Sequence, residues 1–405
     1  MSITVVGGGL AAASAVEELR ERGYDGDVTV FAAETYPPYH RPPLSKAVLL
    51  GEKEPESAIA HDAGWYADQH IDLRLGEEVL ELDLAGGSLT TPTGTHGFDR
   101  LLLATGAAPR RLPAADGSGA RVAYLRTLDD SRALRAALVE GGRVVIVGAG
   151  WIGLEVAAAA VTAGCTVTVV ETAPLPLFRV LGARIAETFA ALHRSHGVDF
   201  RFEAQIGDVT EAADHGVRLT LADGSVIDGD LLVVGVGVEP RVGLAERAGL
   251  TVGDGVLTDA TLRTSDPRVW AAGDVANHRH PVLGRRIRVE HWDTAIEQGK
   301  VAAHNLLDAG EDYQRLPYFF TDQYDLGMEY VGSVGPDGFD DVVLRGDPAS
   351  GTFAAFWLAG GRILAGMHVN DWDAIDPIRA LVGESVDAGK LADPGIALTE
   401  LAGAT

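Results

Sequence analysis

Arg143-Val-Val-Ile-Val-Gly-Ala-Gly-Trp-Ile-Gly-Leu-Glu155, continued by Cys165-Thr-Val-Thr-Val-Val-Glu171, decides the fold. The apolar run Val144 to Val147 reads as a short buried strand. It enters Gly148-Ala-Gly-Trp-Ile-Gly153, a complete G-x-G-x-x-G, and then the helix-forming segment Leu154 to Thr162. A second strand, Cys165 to Val170, ends in Glu171. Glycines at these spacings let the backbone turn tightly and approach a pyrophosphate, which rests on the helix N-terminus. An acid about 20 residues further on is placed to bind ribose hydroxyls. The glycine motif alone is weak evidence; strand, turn, helix, strand and acid in register predict a dinucleotide fold. The charge of Glu171 opposes a 2′-phosphate, so NAD(H) is expected over NADP(H).

Working outward, the chain repeats the device. Ile3 to Val6 reads as a strand, followed by Gly7-Gly-Gly-Leu10-Ala11-Ala12 in the G-x-G-x-x-A variant and a helix through Arg20. Val28 to Phe31 is the next strand, and Glu34 falls just after it. The apolar strands Leu101 to Gly106 and Leu231 to Gly237 both end in small residues, as though each unit closed in the same way. Val269 to Val275 contains Gly273 and the single carboxylate Asp274. Two dinucleotide folds in one chain point to electron transfer from one bound dinucleotide to another.

Between these units, Tyr36-Pro-Pro-Tyr-His-Arg-Pro-Pro-Leu-Ser-Lys46 is a proline-fixed loop, and Ser45 is placed to cap the helix that follows. A rigid loop ending in one lysine suits a group held near a ring system; a solvated helix start is the plainer reading. Trp65 to Glu81 holds two alternating segments, including Val79 to Leu82, read as strands. Arg126 opens Thr127-Leu-Asp-Asp-Ser131, a helix-capping segment. A hydrophobic stretch with Arg179 leads to a helix over Ile185 to His196. From about Gln314, Tyr318 to Tyr324, Glu329 to Val334, Asp341 to Leu344, Thr352 to Leu358 and Arg362 to Val369 read as consecutive strands of an α+β domain.

The composition narrows the function. Among 405 residues, 33 basic and 58 acidic side chains leave a net charge of −25, which argues against nucleic acid as a partner. No apolar run approaches the ~20 residues of a membrane span, and Met1 leads directly into a strand, so a cytoplasmic protein with no membrane partner is expected. The single cysteine, Cys165, cannot form an internal disulfide or a cysteine zinc cluster, and no metal site is expected.

Taken together, Arg41-Pro-Pro-Leu-Ser-Lys46, Leu103-Ala-Thr-Gly-Ala-Ala-Pro109, Leu125-Arg-Thr-Leu128, Gly148 to Glu155, Asp274 and Thr321-Asp-Gln-Tyr-Asp325 are specific marks. With them the chain resembles the flavoprotein reductases of the glutathione-reductase superfamily. Within it, the chain is similar to the NADH-dependent ferredoxin reductases that serve cytochromes P450 and ring-hydroxylating dioxygenases. The resemblance implies an α/β protein with two Rossmann-like domains. Residues 1–110 and 254–312 would bind FAD, 111–253 would bind NAD(H), and 313–405 would form a C-terminal α+β domain. It implies that Gly7, Gly9, Leu10, Ala11 and Ala12 cradle the FAD pyrophosphate, with Glu34 on its ribose and Val79 at the adenine. Arg41, Ala104, Thr105, Gly106 and Gly273 complete that site, with Arg126 and Asp274 at the diphosphate and ribityl portion. Gly148, Gly150, Ile152, Gly153, Glu171, Arg179 and Gly237 would bind the nicotinamide dinucleotide. Lys46, Glu155 and Trp292 would be catalytic: Lys46 at the flavin N5 edge, Glu155 paired with it, and Trp292 beside the isoalloxazine.

The implied activity passes electrons from NADH through FAD, singly, to a small iron–sulfur ferredoxin. A disulfide reductase needs a C-x-x-x-x-C that the chain lacks. A reductase of rubredoxin or of a small one-electron acceptor shares the architecture, as does an NADH-binding flavoprotein of the apoptosis-inducing-factor type. Arg279, Arg285, Arg286 and Arg288, followed by Lys300, form a basic run suited to steering an acidic ferredoxin, or to balancing nearby carboxylates or holding the FAD diphosphate. One departure from the resemblance is Asn370-Asp-Trp-Asp-Ala-Ile-Asp376, where arginines are usual.

Overall fold

The computed structural model describes residues 1–213, 215–335 and 338–401. The chain forms two compact units, each built on one of the fingerprints. The first comprises Met1–Pro42, Pro55–Ala108 and Val238–Arg315. Its centre is a parallel sheet in the order Val269–Ala271, Arg100–Leu103, Ile3–Val6, Val28–Ala32, Ile71–Leu75. Side chains alternate across a strand. Ile3 and Val5 therefore enter one core with Val16, Leu19 and Leu102, while Val6 enters another with Phe31, Leu101 and Leu103. Burial on both faces explains why these strands read as unbroken apolar runs. The alanine-rich helix Leu10–Glu21 packs closely on Trp292–Leu306: a Cβ added at Gly299 would lie 2.5 Å from the Ala11 carbonyl oxygen.

The sequence boundary at 253 differs from this packing. The helix Gly243–Arg247 sends Leu244 and Ala245 into the core that holds Val79, Leu82 and Leu89, so 238–253 packs within the first unit rather than with the second fingerprint.

The second unit comprises Pro43–Glu54, Pro109–Gly237 and Leu316–Thr405. Its parallel sheet runs Asp199–Arg201, Thr166–Val170, Arg143–Val147, Leu231–Val234, Val122–Ala123. Val145 and Val147 face a small antiparallel sheet through Val209, Val217 and Leu219. Val144 and Ile146 share a core with Leu154, Phe189, Met328 and Trp357. Residues 316–401 thus share a core with this fingerprint. Their antiparallel sheet runs Tyr318–Gln323, Leu326–Gly332, Arg362–Val369, Thr352–Ala359, Asp341–Asp347, close to the five strands expected.

Three local expectations are corrected. The strand expected over Val79 to Leu82 is observed as Glu81–Asp83, with Val79 and Leu80 ahead of it. The helix expected from Ile185 begins at Phe178, with a break at Gly182 (φ 71°, ψ 170°). Ser45 is not a cap: it closes the short 3-10 helix Pro42–Ser45, and no side chain caps Ala47–Leu50. Among the described residues no helix is long and apolar enough to cross a membrane.

Candidate active site

In the first unit, Gly7 ends the central strand with φ +129°, and a Cβ there would lie 2.1 Å from the Ala104 carbonyl oxygen. Only glycine fits so close an approach in that conformation. Gly9, by contrast, would meet nothing within 4 Å, and as N-cap of Leu10–Glu21 it has no side-chain capping bond. An open glycine before uncapped helical N–H groups is the cradle a pyrophosphate fits. Leu10 starts this helix; Ala11 and Ala12 are buried behind it. Glu34 accepts from the Tyr39 hydroxyl and, at 3.0 Å, from Arg41, whose guanidinium lies 5.0 Å from the Tyr39 ring centre.

Around this turn, Thr105 donates to the Arg241 carbonyl at 3.0 Å, and Gly106 (φ +66°) accepts from the Arg241 N–H at 2.9 Å. The Gly273 N–H (φ +77°) is held by Gln298 at 2.9 Å, next to Asp274. Val79 is buried in the core beside Phe31. Trp292 begins its helix and donates its indole N–H to His40 Nδ1 at 2.7 Å. Burial, then the neighbouring His61, hold His40 below the usual histidine range, so its Nδ1 stays an acceptor.

The second unit repeats the geometry. Gly148 (φ +99°) would place a Cβ 2.4 Å from the Gly235 carbonyl oxygen, and Gly153 would place one 2.1 Å from that of Gly148. Gly150 would meet nothing within 4 Å and is likewise an uncapped helix start, with Ile152 exposed beside it. Glu171 accepts the N–H groups of Ala149 and Ala173, both at 2.8 Å, so the acid is tied to the glycine turn itself. Gly237 (φ +98°) accepts from the Arg110 N–H at 2.9 Å, and Arg179 is exposed on the first turn of Phe178–Ser195. Arg126 is half-buried, and its N–H is held by Asp130 at 3.0 Å, just ahead of the Thr127 capping box.

Lys46 and Glu155 come together here. Lys46 Nζ lies 2.7 Å from Glu155 Oε1, with side chains 18% and 4% exposed. Glu155 sits on Trp151–Thr162, one turn past the glycines. The Ser45 hydroxyl donates to its other oxygen, and Thr321 Oγ1 donates to Oε1 at 2.7 Å. Lys46 also lies 5.4 Å from the Phe320 ring centre. Burial pushes Asp322 above the usual carboxylate range, against the pull of Lys46. With three donors on it, this buried carboxylate presents one ammonium in a fixed place. Sequence reasoning missed Thr321 as a partner of Glu155, as it missed His40 and Gln298. The signal for the first was available: Thr321 and Gln323 alternate on one buried face of a strand.

The basic run is partly spent on internal bonds. Arg288 pairs with Asp254 at 3.0 Å and with Glu290, Arg286 donates to the carbonyls of Thr258 and Asn277, and Lys300 pairs with Glu297 at 2.9 Å. In the acidic departure, Asp376 faces Arg379 at 3.7 Å, and Trp372 is exposed. Cys165 is buried, with Sγ 3.2 Å from the Val139 carbonyl oxygen, and burial raises its thiol pKa.

Two glycine turns of one geometry, each with a carboxylate after its second strand, lie in a chain whose single cysteine leaves no dithiol centre. The pyridine nucleotide-disulphide oxidoreductase family matches residues 1–299, and a reductase C-terminal domain matches residues 318–402. The ferredoxin–NAD(+) reductase component of the anthranilate 1,2-dioxygenase system of Burkholderia cepacia is 41% identical, over 97% of each chain. Putidaredoxin reductase in its covalent complex with putidaredoxin superposes with a TM-score of 0.94 at 34% identity, covering 100% of this chain and 99% of that one. The ferredoxin reductase for the CYP199A2 system of Rhodopseudomonas palustris gives 0.94 at 34% identity, covering 99% of both chains. The chain belongs to the pyridine nucleotide-disulphide oxidoreductases. It is an oxidoreductase that works with a flavin and a pyridine nucleotide.

Proposed function

We propose that this chain takes hydride from NADH, through FAD, and passes electrons singly to a small iron–sulfur ferredoxin of a cytochrome P450 or ring-hydroxylating dioxygenase system. The buried Lys46–Glu155 pair carries the reading, in a chain with two dinucleotide turns and one inert thiol. The named relatives, reductase components of such systems, support it.

A bound flavin would supply the exchange between two-electron and one-electron chemistry. This chain's residues do the rest. Gly7, Gly9 and the start of Leu10–Glu21 would take the FAD pyrophosphate, Glu34 its ribose, and Asp274 and Trp292 the remainder. Gly148, Gly150 and the start of Trp151–Thr162 would take the coenzyme pyrophosphate, and Glu171 its ribose. Lys46 would stabilise negative charge developing at the flavin edge. Glu155 keeps that ammonium in place and Ser45 braces Glu155.

Anaerobic titration with NADH, followed by a screen of ferredoxins and rubredoxins, tests the proposal. The expected result is a yellow protein with non-covalent FAD, reduced by one equivalent of NADH and reoxidised rapidly by a ferredoxin. Stoichiometric FMN, or NADH reduction with no turnover of any one-electron acceptor, overturns it.

A further inference from the structure

We infer that His193 and Gln323 are positioning residues for the Lys46–Glu155 pair, acting through Thr321; this rests on the role proposed above for Lys46. They form a buried line of hydrogen bonds. His193 Nε2 lies 2.8 Å from Gln323 Oε1, Gln323 Nε2 lies 3.0 Å from Thr321 Oγ1, and Thr321 Oγ1 lies 2.7 Å from Glu155 Oε1. At the outer end the Tyr324 hydroxyl is 3.4 Å from His193 Nδ1. Thr321, Gln323 and His193 are at most 1% exposed.

Chemistry fixes the direction of this line. The ionised carboxylate only accepts, so the Thr321 proton points at Glu155 and its oxygen must accept from elsewhere. The Gln323 amide N–H is that donor, which leaves the amide oxygen facing His193. His193 must then present Nε2–H. Turning the amide over would set the Thr321 oxygen and a glutamine oxygen face to face, with only one proton for two acceptors. Each link therefore specifies the next, and breaking one strands a buried polar group.

The outer end is anchored as firmly. Tyr324 has φ +57°, an unfavourable conformation for a bulky side chain. Its ring stacks on His196 at 3.7 Å and 6° and meets His193 edge-on at 5.2 Å. The tip of the hairpin Tyr318–Gln323/Leu326–Gly332 is thus pinned to the end of Phe178–Ser195. Three residues before Tyr324, Thr321 meets Glu155 in one register. With Ser45 on one carboxylate oxygen and Thr321 and Lys46 on the other, the carboxylate cannot rotate without abandoning a buried donor.

The test uses the FAD-loaded enzyme and the variants T321V, H193F and H193Q. Thr321→Val is nearly isosteric, His193→Phe removes the N–H, and His193→Gln keeps a donor at a similar reach. One readout is acetylation of Lys46 by acetic anhydride, followed by peptide mass spectrometry; the other is the single-turnover rate of reduction by NADH. T321V and H193F are expected to make Lys46 about tenfold more reactive and reduction about tenfold slower, the scale of one hydrogen bond to a charged group. H193Q is expected to restore both to within about twofold of the parent. Unchanged labelling and rate in T321V overturn the inference, even if H193F does not fold. So does H193Q behaving like H193F, which would make His193 plain packing. If Lys46→Ala leaves the reduction rate unchanged, the role proposed for Lys46 fails instead, while the labelling still decides the positioning.

Discussion

Replacing Glu171 by glutamine tests coenzyme selectivity where the structure is most explicit. The carboxylate has about four acceptor sites. Three are taken, by the N–H groups of Ala149 and Ala173 at 2.8 Å each and by the Thr172 hydroxyl at 3.1 Å. That leaves about one for a ribose hydroxyl. The side chain is only half-buried, so solvent tempers its charge. Glutamine keeps one oxygen and turns an NH2 toward one of the two backbone donors. It forfeits one bond to a charged acceptor, worth ~1.5–3 kcal/mol, and removes the charge that opposes a 2′-phosphate. NADH is expected to lose kcat/KM and NADPH to gain, the ratio narrowing by ~1–3 kcal/mol, or about 5- to 150-fold. The assay is steady-state kcat/KM for both coenzymes with a small neutral acceptor at fixed ionic strength. Because a half-exposed charge is screened, the parent's preference should also shrink at high salt. An equal loss for both coenzymes would refute the reasoning, leaving Glu171 as a brace for the glycine turn that never meets the ribose.

Lys46→Ala should slow anaerobic reduction by NADH by at least about tenfold in stopped flow, since it removes the cation at the developing charge; an unchanged rate would reduce Lys46 to a structural partner of Glu155. Gly148→Ala should cost about 2–4 kcal/mol of stability, because its Cβ would lie 2.4 Å from the Gly235 carbonyl oxygen at φ +99°. Gly150→Ala has open space, so denaturant unfolding should barely change while coenzyme binding weakens; equal stabilities for the two variants would contradict the cradle. His193, pulled down to about 4 by burial, binds fewer protons folded than unfolded between about pH 4 and 6.5. Stability should therefore rise with pH across that window and fall as pH drops through it. In H193Q the slope of ΔG against pH should flatten by up to ~1.4 kcal/mol per unit, and an identical slope would show that His193 is not buried as a neutral ring.

The parts of this fold that could be read from the sequence share a physical property: local chemistry dictates them. Gly7 and Gly148 sit at positive φ against a carbonyl, a conformation that excludes other residues, so the motif and its structure cannot be separated. Strands buried on both faces, such as Ile3–Val6 and Arg143–Val147, announce themselves as unbroken apolar runs. What could not be read depends on distant partners. Ser45 has the chemistry of a helix cap, and propensity alone assigns it there. Its hydroxyl instead donates to Glu155, 110 positions later, a buried charged acceptor that no local pattern reveals. The segment 238–253 follows the second fingerprint in the chain, yet Leu244 and Ala245 complete a core begun by Val6 and Phe31. Apolar residues record that they must be buried, not against what. The line from His193 to Glu155 combines both cases. Alternation along Tyr318–Gln323 marks Thr321 and Gln323 as sharing a face, but two polar residues on a buried face are a contradiction that sequence cannot resolve. Only a partner supplied by another element, here a histidine on Phe178–Ser195 and a carboxylate on Trp151–Thr162, makes their burial affordable. A buried polar pair sharing one face of a strand is therefore where a sequence reading of such a chain should look for partners supplied by distant elements.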